Sequence, residues 1–260
     1  MVAKIDRTGE ERVNSFGSKM AIVGYRTRMD INVYFPEYNW TAKHVQYNDF
    51  KEGNIKCPYE RRVYGVGYLG EGKYKTTENG KKTKCYRTWY DMLRRCYDEK
   101  NLKRNPTYID SEVCDKWLNF QEYGKWFEGN YYEIEGERMC LDKDILIKHN
   151  KIYSPDTCVF VPHNINVLFT KRDKMRGKYP IGVHYNKRDE KFQAYCRIYD
   201  FKENKSKNKY LGLYDTVEQA FEVYKQFKEQ NIKEVADHYK DQISEKLYQA
   251  LYDYQVEITD

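Results

Sequence analysis

The chain lacks both a long apolar run and any closely spaced pair of cysteines. No segment approaches the roughly 18 to 20 apolar residues that a membrane span needs, and residues 1–13 have no apolar core typical of a signal peptide. The odd number and wide spacing of the cysteines argue against a zinc ribbon and a disulfide framework. We therefore expect a cytoplasmic protein with reduced thiols at Cys57, Cys85, Cys96, Cys114, Cys140, Cys158 and Cys196.

Apolar residues are scarce as well, since hydrophobic residues make up 40% of the chain and the mean hydropathy is −0.98. The 27 tyrosines offset part of this deficit. A tyrosine ring can be buried in a core or can stack on a nucleobase, so this richness suits either use.

Positive charge is concentrated in one segment. The net charge is +6, and residues 171 to 210 carry 13 lysines and arginines against five acids, a local +8 that leaves about −2 for the remainder. Such clustering is typical of a phosphate-binding surface. The alternative interpretation is an ordinary solvated, lysine-rich face.

The element pattern predicts an α+β protein in four parts: a β-rich domain (1–75), helices with a ββα module (83–170), a βββα domain (178–240) and a C-terminal helix (241–260). In the first part, strands are predicted at 20–25, 30–35, 44–50 and 63–69, and their spacing favours a small SH3-like domain. The glycine-rich GVGYLGEG that follows lacks the Lys-Ser/Thr of a P-loop and is interpreted as turns.

The second part is predicted to open with two helices. Apolar residues recur at helical spacing over 84–99 and over 111–130. Ser111 is the predicted N-cap of the second helix and Gly129 its predicted end.

A small motif follows at 139–166, MCLDKDILIKHNKIYSPDTCVFVPHNIN: an apolar strand ending in an acid, a polar loop, a second strand and an Asn-rich helix start. This layout resembles the HNH, or ββα-metal, endonucleases of phages and mobile introns. The resemblance implies a metal-binding Asp at Asp142 and a distal ligand at Asn166. Lys143 stands where that family has its general-base histidine, and Thr157 replaces the loop Asn that orients this base.

Lysine is a poor general base at neutral pH because its ordinary pKa is about 10.4. Three substitutes for the base are considered. Asp144 is two residues beyond Asp142, so both carboxylates can hold Mg²⁺ together with Asn166. His149 or His163 can reach the phosphate, or Lys143 can stabilise the charged transition state.

The third part contains IGVHYNKR, KFQAYCRIY and NKYLGLYDT, which read as three antiparallel strands, and a capping box from Thr216 to Gln219 that opens a long helix. These segments resemble the DNA-binding domain of plant ethylene-response factors, which is also fused to phage and homing endonucleases. The residues that carry the resemblance are Gly182-Val183, Phe192, Ala194, Leu211-Gly212, Tyr214-Asp215-Thr216, Ala220 and Tyr224.

In the resembled domain, one face of the sheet lies in the major groove of double-stranded DNA. Alternation along the strands supports one shared face, because Tyr195 and Arg197 are two residues apart. The residues expected to face DNA are His184, Asn186, Tyr195, Arg197, Asn208 and Tyr210. Lys187, Arg188 and the basic linker 171–178 are expected to contact phosphates.

Three functions stay open at this point. The first is a DNA-binding protein of a phage or mobile element, in the cytoplasm of a bacterial host, with a degenerate nuclease module. The second is an active Mg²⁺-dependent DNA endonuclease with a rearranged site. The third is an interaction protein that inhibits a host factor through the N-terminal part and the basic sheet.

Overall fold

The computed structural model describes residues 5–170, 178–203 and 205–260. The chain forms two compact units with mixed α and β structure. The first comprises Met1–Gly129 and Ile152–Ser154, and the second comprises Asn130–Lys151 and Pro155–Asp260. Each unit has its own core.

The first unit begins with a four-stranded antiparallel sheet in the order β1-β2-β3-β4. Its strands are β1 (Glu11–Val13), β2 (Lys19–Thr27), β3 (Asp30–Phe35) and β4 (Trp40–Val45), with a short 3-10 helix at Pro36–Tyr38. Alternate residues of β2 and β3 are buried against α1 (Tyr47–Glu52), which contributes Phe50. The alternation therefore places one face of this sheet in the core.

Two of the four predicted strands are wrong. Residues 44–50 divide between the end of β4 and helix α1, because a helix puts Tyr47 and Phe50 on one buried side, and Gly53 ends it at φ 73°. Residues 63–69 form only isolated bridges. There the backbone of Gly67 lies so close to the helix Lys84–Tyr97 that an added Cβ would sit 2.4 Å from Leu93.

The rest of the first unit is mainly helical. It contains a hairpin of β5 (Thr77–Glu78) and β6 (Lys81–Lys82), then α2 (Lys84–Tyr97), α3 (Glu99–Arg104), a 3-10 helix at Pro106–Tyr108, β7 (Glu112–Val113), α4 (Asp115–Leu118) and α5 (Phe120–Asn130). The helix predicted over 84–99 is confirmed as α2, which buries Trp89, Met92 and Leu93.

The single helix predicted over 111–130 is wrong. Val113 pairs in parallel with Tyr153, so its backbone is extended, and Ser111 precedes a strand instead of capping a helix. Two shorter helices follow, and the second ends one residue beyond the predicted stop at Gly129.

The second unit contains the predicted ββα and βββα arrangements. β8 (Met139–Asp142) pairs antiparallel with β10 (Val159–Pro162), which leads into α6 (His163–Leu168). Between them, β9 (Ile152–Tyr153) belongs to the first unit. The three-stranded sheet of β11 (Val183–Asn186), β12 (Lys191–Asp200) and β13 (Lys205–Tyr214) precedes α7 (Val217–Tyr239) and α8 (Glu245–Tyr252).

Helix α7 contacts both parts of the second unit. Ala220, Phe221 and Tyr224, in its first half, pack against Val183, Ala194 and Cys196 of the sheet. Its second half packs on the ββα residues and on α8 in a separate apolar cluster, with Ile232, Val235, Ala236 and Tyr239 against Ile145, Val161, Ile165, Leu247 and Leu251. The predicted capping box at Thr216 and Gln219 is present.

In the part of the chain that the structure describes, no helix has the length and apolar character needed to cross a membrane.

We expect Gly182→Ala to destabilise the protein strongly. Gly182 has φ +79°, and an added Cβ would lie 2.1 Å from Cδ2 of the buried Tyr224 ring. The left-handed backbone and the overpacked contact together cost about 2 to 4 kcal/mol in free energy of unfolding, measured by urea denaturation. Gly136→Ala is the matched control, because Gly136 has φ +76° with nothing within 4 Å and should lose only about 1 kcal/mol. Equal losses for the two variants would contradict the packing argument.

Candidate nucleic-acid interface

The three-stranded sheet has one face covered by α7 and one open face. Val183, Ala194 and Cys196 are buried beneath the helix. Residues that alternate with them point the other way, and cross-strand partners in a ladder share a face. The open face therefore holds the pairs His184↔Gln193, Tyr195↔Tyr210 and Arg197↔Asn208.

A β-bulge preserves this arrangement. Ala194 pairs with Gly212 whereas Tyr195 pairs with Tyr210, so Leu211 is the extra residue in β13. The bulge keeps the small Ala194 under the helix and both tyrosines on the open face. Without this shift, the side chains of one strand would face the wrong side beyond Ala194.

The open face presents aromatic rings beside unpaired polar groups. The ring centroids of Tyr195 and Tyr210 are 5.2 Å apart, and His184 lies 6.1 Å from Tyr195. Tyr210 is 48% exposed. Within the described residues, the side chains of Arg197 and Asn208 have no hydrogen-bond or ion-pair partner, so both are available to a ligand.

An open depression of about 510 Å³ lies beside these rings, and its lining residues are Asn186, Arg188, Asp189, Gln193, Tyr195, Tyr210 and Leu213. Gln193 and Leu213 were not among the predicted site residues. Both could have been identified from the sequence pattern. Gln193 alternates with Tyr195 along β12, and Leu213 is the cross-strand partner of Gln193.

Asn186, expected to face DNA, forms hydrogen bonds within the β11–β12 turn. Its Oδ1 accepts hydrogen bonds from the backbone N–H groups of Arg188 and Asp189, and its Nδ2 donates to Asp189 at 2.6 Å. The amide therefore stabilises the β11–β12 turn, and pairing with adenine would require these bonds to be exchanged. Arg188 forms an exposed ion pair with Asp189 at 3.3 Å, whereas Lys187 has no such partner among the described residues.

Of the basic linker 171–178, residues 171–177 lie outside the described residues, and Lys178 lies 5.2 Å from the ring centroid of Tyr179. The lysines of β13 contribute less to the open face than their number suggests. Lys207 and Lys209 are cross-strand partners of Ile198 and Cys196 on the helix side, and Lys207 forms an ion pair with Asp200.

The end of β8 carries a pair of interacting carboxylates. Oδ1 of Asp142 accepts hydrogen bonds from the backbone N–H groups of Asp144 at 2.9 Å and Ile145 at 2.8 Å. Burial and the neighbouring negative charge of Asp144 together raise the pKa of Asp142 to about 6. Two adjacent carboxylates of this kind are oxygen ligands that suit Mg²⁺ or Ca²⁺.

Lys143, at the position of the general base, closes the loop that follows β8. Its buried Nζ donates to the backbone oxygen of Asn150 at 2.8 Å and forms an ion pair with Asp144 at 3.1 Å. In return, Nδ2 of Asn150 donates to the backbone oxygen of Lys143 at 2.7 Å. An amine held as a donor on two acceptors does not serve as a proton acceptor.

Among the described residues, no hydrogen bond joins the other predicted catalytic residues to Asp142. Nδ1 of His163 lies 3.7 Å from Sγ of Cys140, and His163 follows the Pro162↔Met139 pair at the opposite end of the ladder from Asp142. Asn166 is on α6, and among the described residues its side chain has no hydrogen bond to Asp142 or Asp144. His149 is exposed, with Nε2 3.7 Å from Glu257.

His149, Glu257 and Asp260 form a second group whose possible ligand atoms all lie within 4.8 Å of one another. Lys148 already supplies a cation there, because its Nζ lies 2.9 Å from Asp260 and 3.3 Å from Glu257. The group ties the loop after β8 to residues more than 100 positions away, and no sequence pattern indicated it.

No protein-family model, curated protein or solved structure matches this chain. The resemblances to HNH endonucleases and to ethylene-response-factor domains therefore stay predictions from the motifs.

We expect Asp142→Asn to stabilise the protein above pH 6. The folded pKa of about 6 exceeds the ordinary 3.8, so the folded state binds more protons than the unfolded state between these values. The stability of the natural protein should therefore fall as pH rises from about 4 to 6, then level off. Asparagine keeps the acceptor oxygen but not the charge, so at pH 7 the variant should gain about 1 to 2 kcal/mol in urea denaturation. A pH dependence identical to that of the natural protein would contradict this assignment.

Proposed function

We propose that this chain binds double-stranded DNA through the open face of β11, β12 and β13. The observation that carries the proposal is the pairing of Tyr195 with Tyr210 and of Arg197 with Asn208 on the sheet face opposite α7. Arginine and asparagine are the side chains that pair with guanine and adenine in the major groove, which also admits β-structure. The tyrosines add apolar contact area with hydroxyl groups that reach phosphates.

The ββα module then serves as a structural or clamping part of this DNA-binding protein. Lys143 holds the loop closed where HNH enzymes have a general base, which supports a degenerate nuclease site. Under this proposal the chain derives from an HNH-like endonuclease of a phage or mobile element. Its function would be to occupy DNA without cutting it.

Arg197→Glu should weaken binding to a double-stranded oligonucleotide by more than tenfold at 100 mM salt, measured by fluorescence anisotropy. The substitution removes an unpaired cation from the open face and places a carboxylate opposite the phosphates. Lys209→Glu is the matched control, with the same change in charge on the adjacent strand but at a position on the helix side. It should weaken binding by about threefold or less.

Equal loss in the Arg197 and Lys209 variants would mean that only net charge matters and would remove the role of the open face. Absence of any salt-sensitive DNA binding by the natural protein would contradict the proposal and would favour an acidic protein as the partner. That outcome would favour an inhibitor of a host factor.

A second candidate function, Mg²⁺-dependent DNA cleavage, is favoured by the Asp142–Asp144 pair. Burial and the adjacent charge of Asp144 raise the pKa of Asp142, and a divalent cation bound between the two carboxylates would relieve their repulsion. Asp142 and Asp144 would hold the cation with Asn166 as a further ligand, and the cation would supply Lewis acidity and an activated water.

Supercoiled plasmid distinguishes the two candidates. A nuclease should nick the plasmid with Mg²⁺ or Mn²⁺ and show no nicking with EDTA. Its Asp142→Asn variant should lose this activity without losing DNA affinity. A degenerate module should give an EDTA-resistant mobility shift and no nicking. In either case, a rise in melting temperature with Mg²⁺ that disappears in Asp142→Asn would locate the cation at the carboxylate pair.

A further inference from the structure

A second basic surface lies in the first unit, in the β5–β6 hairpin and α2. Residues 73 to 95 carry eight lysines and arginines against two acids, Glu78 and Asp91. The net charge outside residues 171–210 is still about −2, because acidic residues elsewhere offset the positive charge of this stretch. We call the exposed part of this stretch, with Lys75, Lys82 and Arg87, the hairpin surface.

The hairpin is held in one position on the start of α2. Asn79 and Gly80 have φ values of 50° and 73°, as expected for a two-residue turn with both central residues left-handed. Thr83 donates from Oγ1 to the backbone oxygen of Lys75 at 2.8 Å and accepts from the backbone N–H of Tyr86 at 3.1 Å. One side chain thus caps α2 and fastens the strand that leads into the hairpin.

Tyrosine rings lie beside these cations. Nζ of Lys82 is 4.4 Å from the ring centroid of Tyr90 and 5.6 Å from that of Tyr86. The Tyr64 ring packs on Tyr90 with centroids 5.2 Å apart. The packed rings of Tyr64, Tyr86 and Tyr90 therefore support the ammonium group of Lys82 in an exposed position.

The cations of the hairpin surface form no ion pairs in the part of the chain that the structure describes. Among the described residues, Lys75, Lys82 and Arg87 have no carboxylate within ion-pair distance. Arg94, two turns beyond Arg87 and about 10 Å along the helix axis, pairs with Asp91 at 3.2 Å. Three exposed cations on a rigid support, beside aromatic rings and with no carboxylate partner among residues 5–170, 178–203 and 205–260, are suited to a polyanion.

We propose that the hairpin surface binds the phosphate backbone of double-stranded DNA, as a contact separate from the open face of the three-stranded sheet. Lysine and arginine side chains that contact phosphates position a duplex without reading its sequence. The first unit thereby adds affinity that is independent of sequence, and the open sheet face contributes the groups that can discriminate bases.

The test is the salt dependence of DNA binding by the full chain between 50 and 200 mM salt. Lys75→Gln, Lys82→Gln and Arg87→Gln combined should lower the slope of log affinity against log salt by about 2 to 3, since each phosphate contact contributes about 0.9. The control combines Lys51→Gln, Lys100→Gln and Lys103→Gln, which removes the same charge from exposed lysines of the same unit. It should change the slope by less than about 0.5, and thermal unfolding should show both variants folded.

Adding Arg197→Glu separates this proposal from the one for the sheet. If the hairpin substitutions lower the slope equally with and without Arg197→Glu, the two contacts are independent, as proposed. If they weaken binding while Arg197→Glu alone has no effect, the hairpin contact stands and the sheet proposal falls. A slope that matches the control variant, or a natural protein that binds no DNA, overturns the hairpin contact.

Discussion

The packing of α7 on two separate apolar clusters organises the second unit. One half of the helix covers the three-stranded sheet and the other half covers the ββα residues and α8. Because a single rigid helix contributes to both cores, the open sheet face and the carboxylate pair after β8 have a fixed relation within this unit. The small residues Gly182, Ala194 and Ala220 permit this arrangement, since the helix and the sheet approach closely only where side chains are absent or short.

Much of this fold was predictable from the sequence where the local residue pattern was strong and no contact with a distant segment changed the local structure. Period-2 alternation located β2, β3, β11 and β12, and helical spacing located α2, α7 and α8. The failures have distant causes. Val113 is extended because Tyr153 pairs with it, and residues 63–69 are turns because Gly67 lies against Trp89 and Leu93. The division of the chain into four parts stays a prediction, since it rested on motif boundaries and motifs do not reveal shared cores.

The candidate site was predictable in part for the same reason. Alternation placed Tyr195 and Arg197 on one face, and the register adds their partners Tyr210 and Asn208. The hydrogen bonds that occupy Asn186 and Lys143 were not predictable, because each depends on the conformation of a turn or loop. A residue type at a motif position thus indicates a possible chemistry, and the loop around it decides which groups are available.

The path of the chain between the units bears on the order in which the protein is made. Residues 152 and 153 pair with β7 in the first unit, yet they follow β8 of the second. A ribosome releases the chain from its N-terminus, so the first unit cannot complete its β7–β9 ladder until β8 has also emerged. During synthesis, the first unit is therefore completed only after part of the second unit has been made. A fragment that ends at residue 129 would leave Glu112 and Val113 without their strand partner, with an edge open to pairing with another chain.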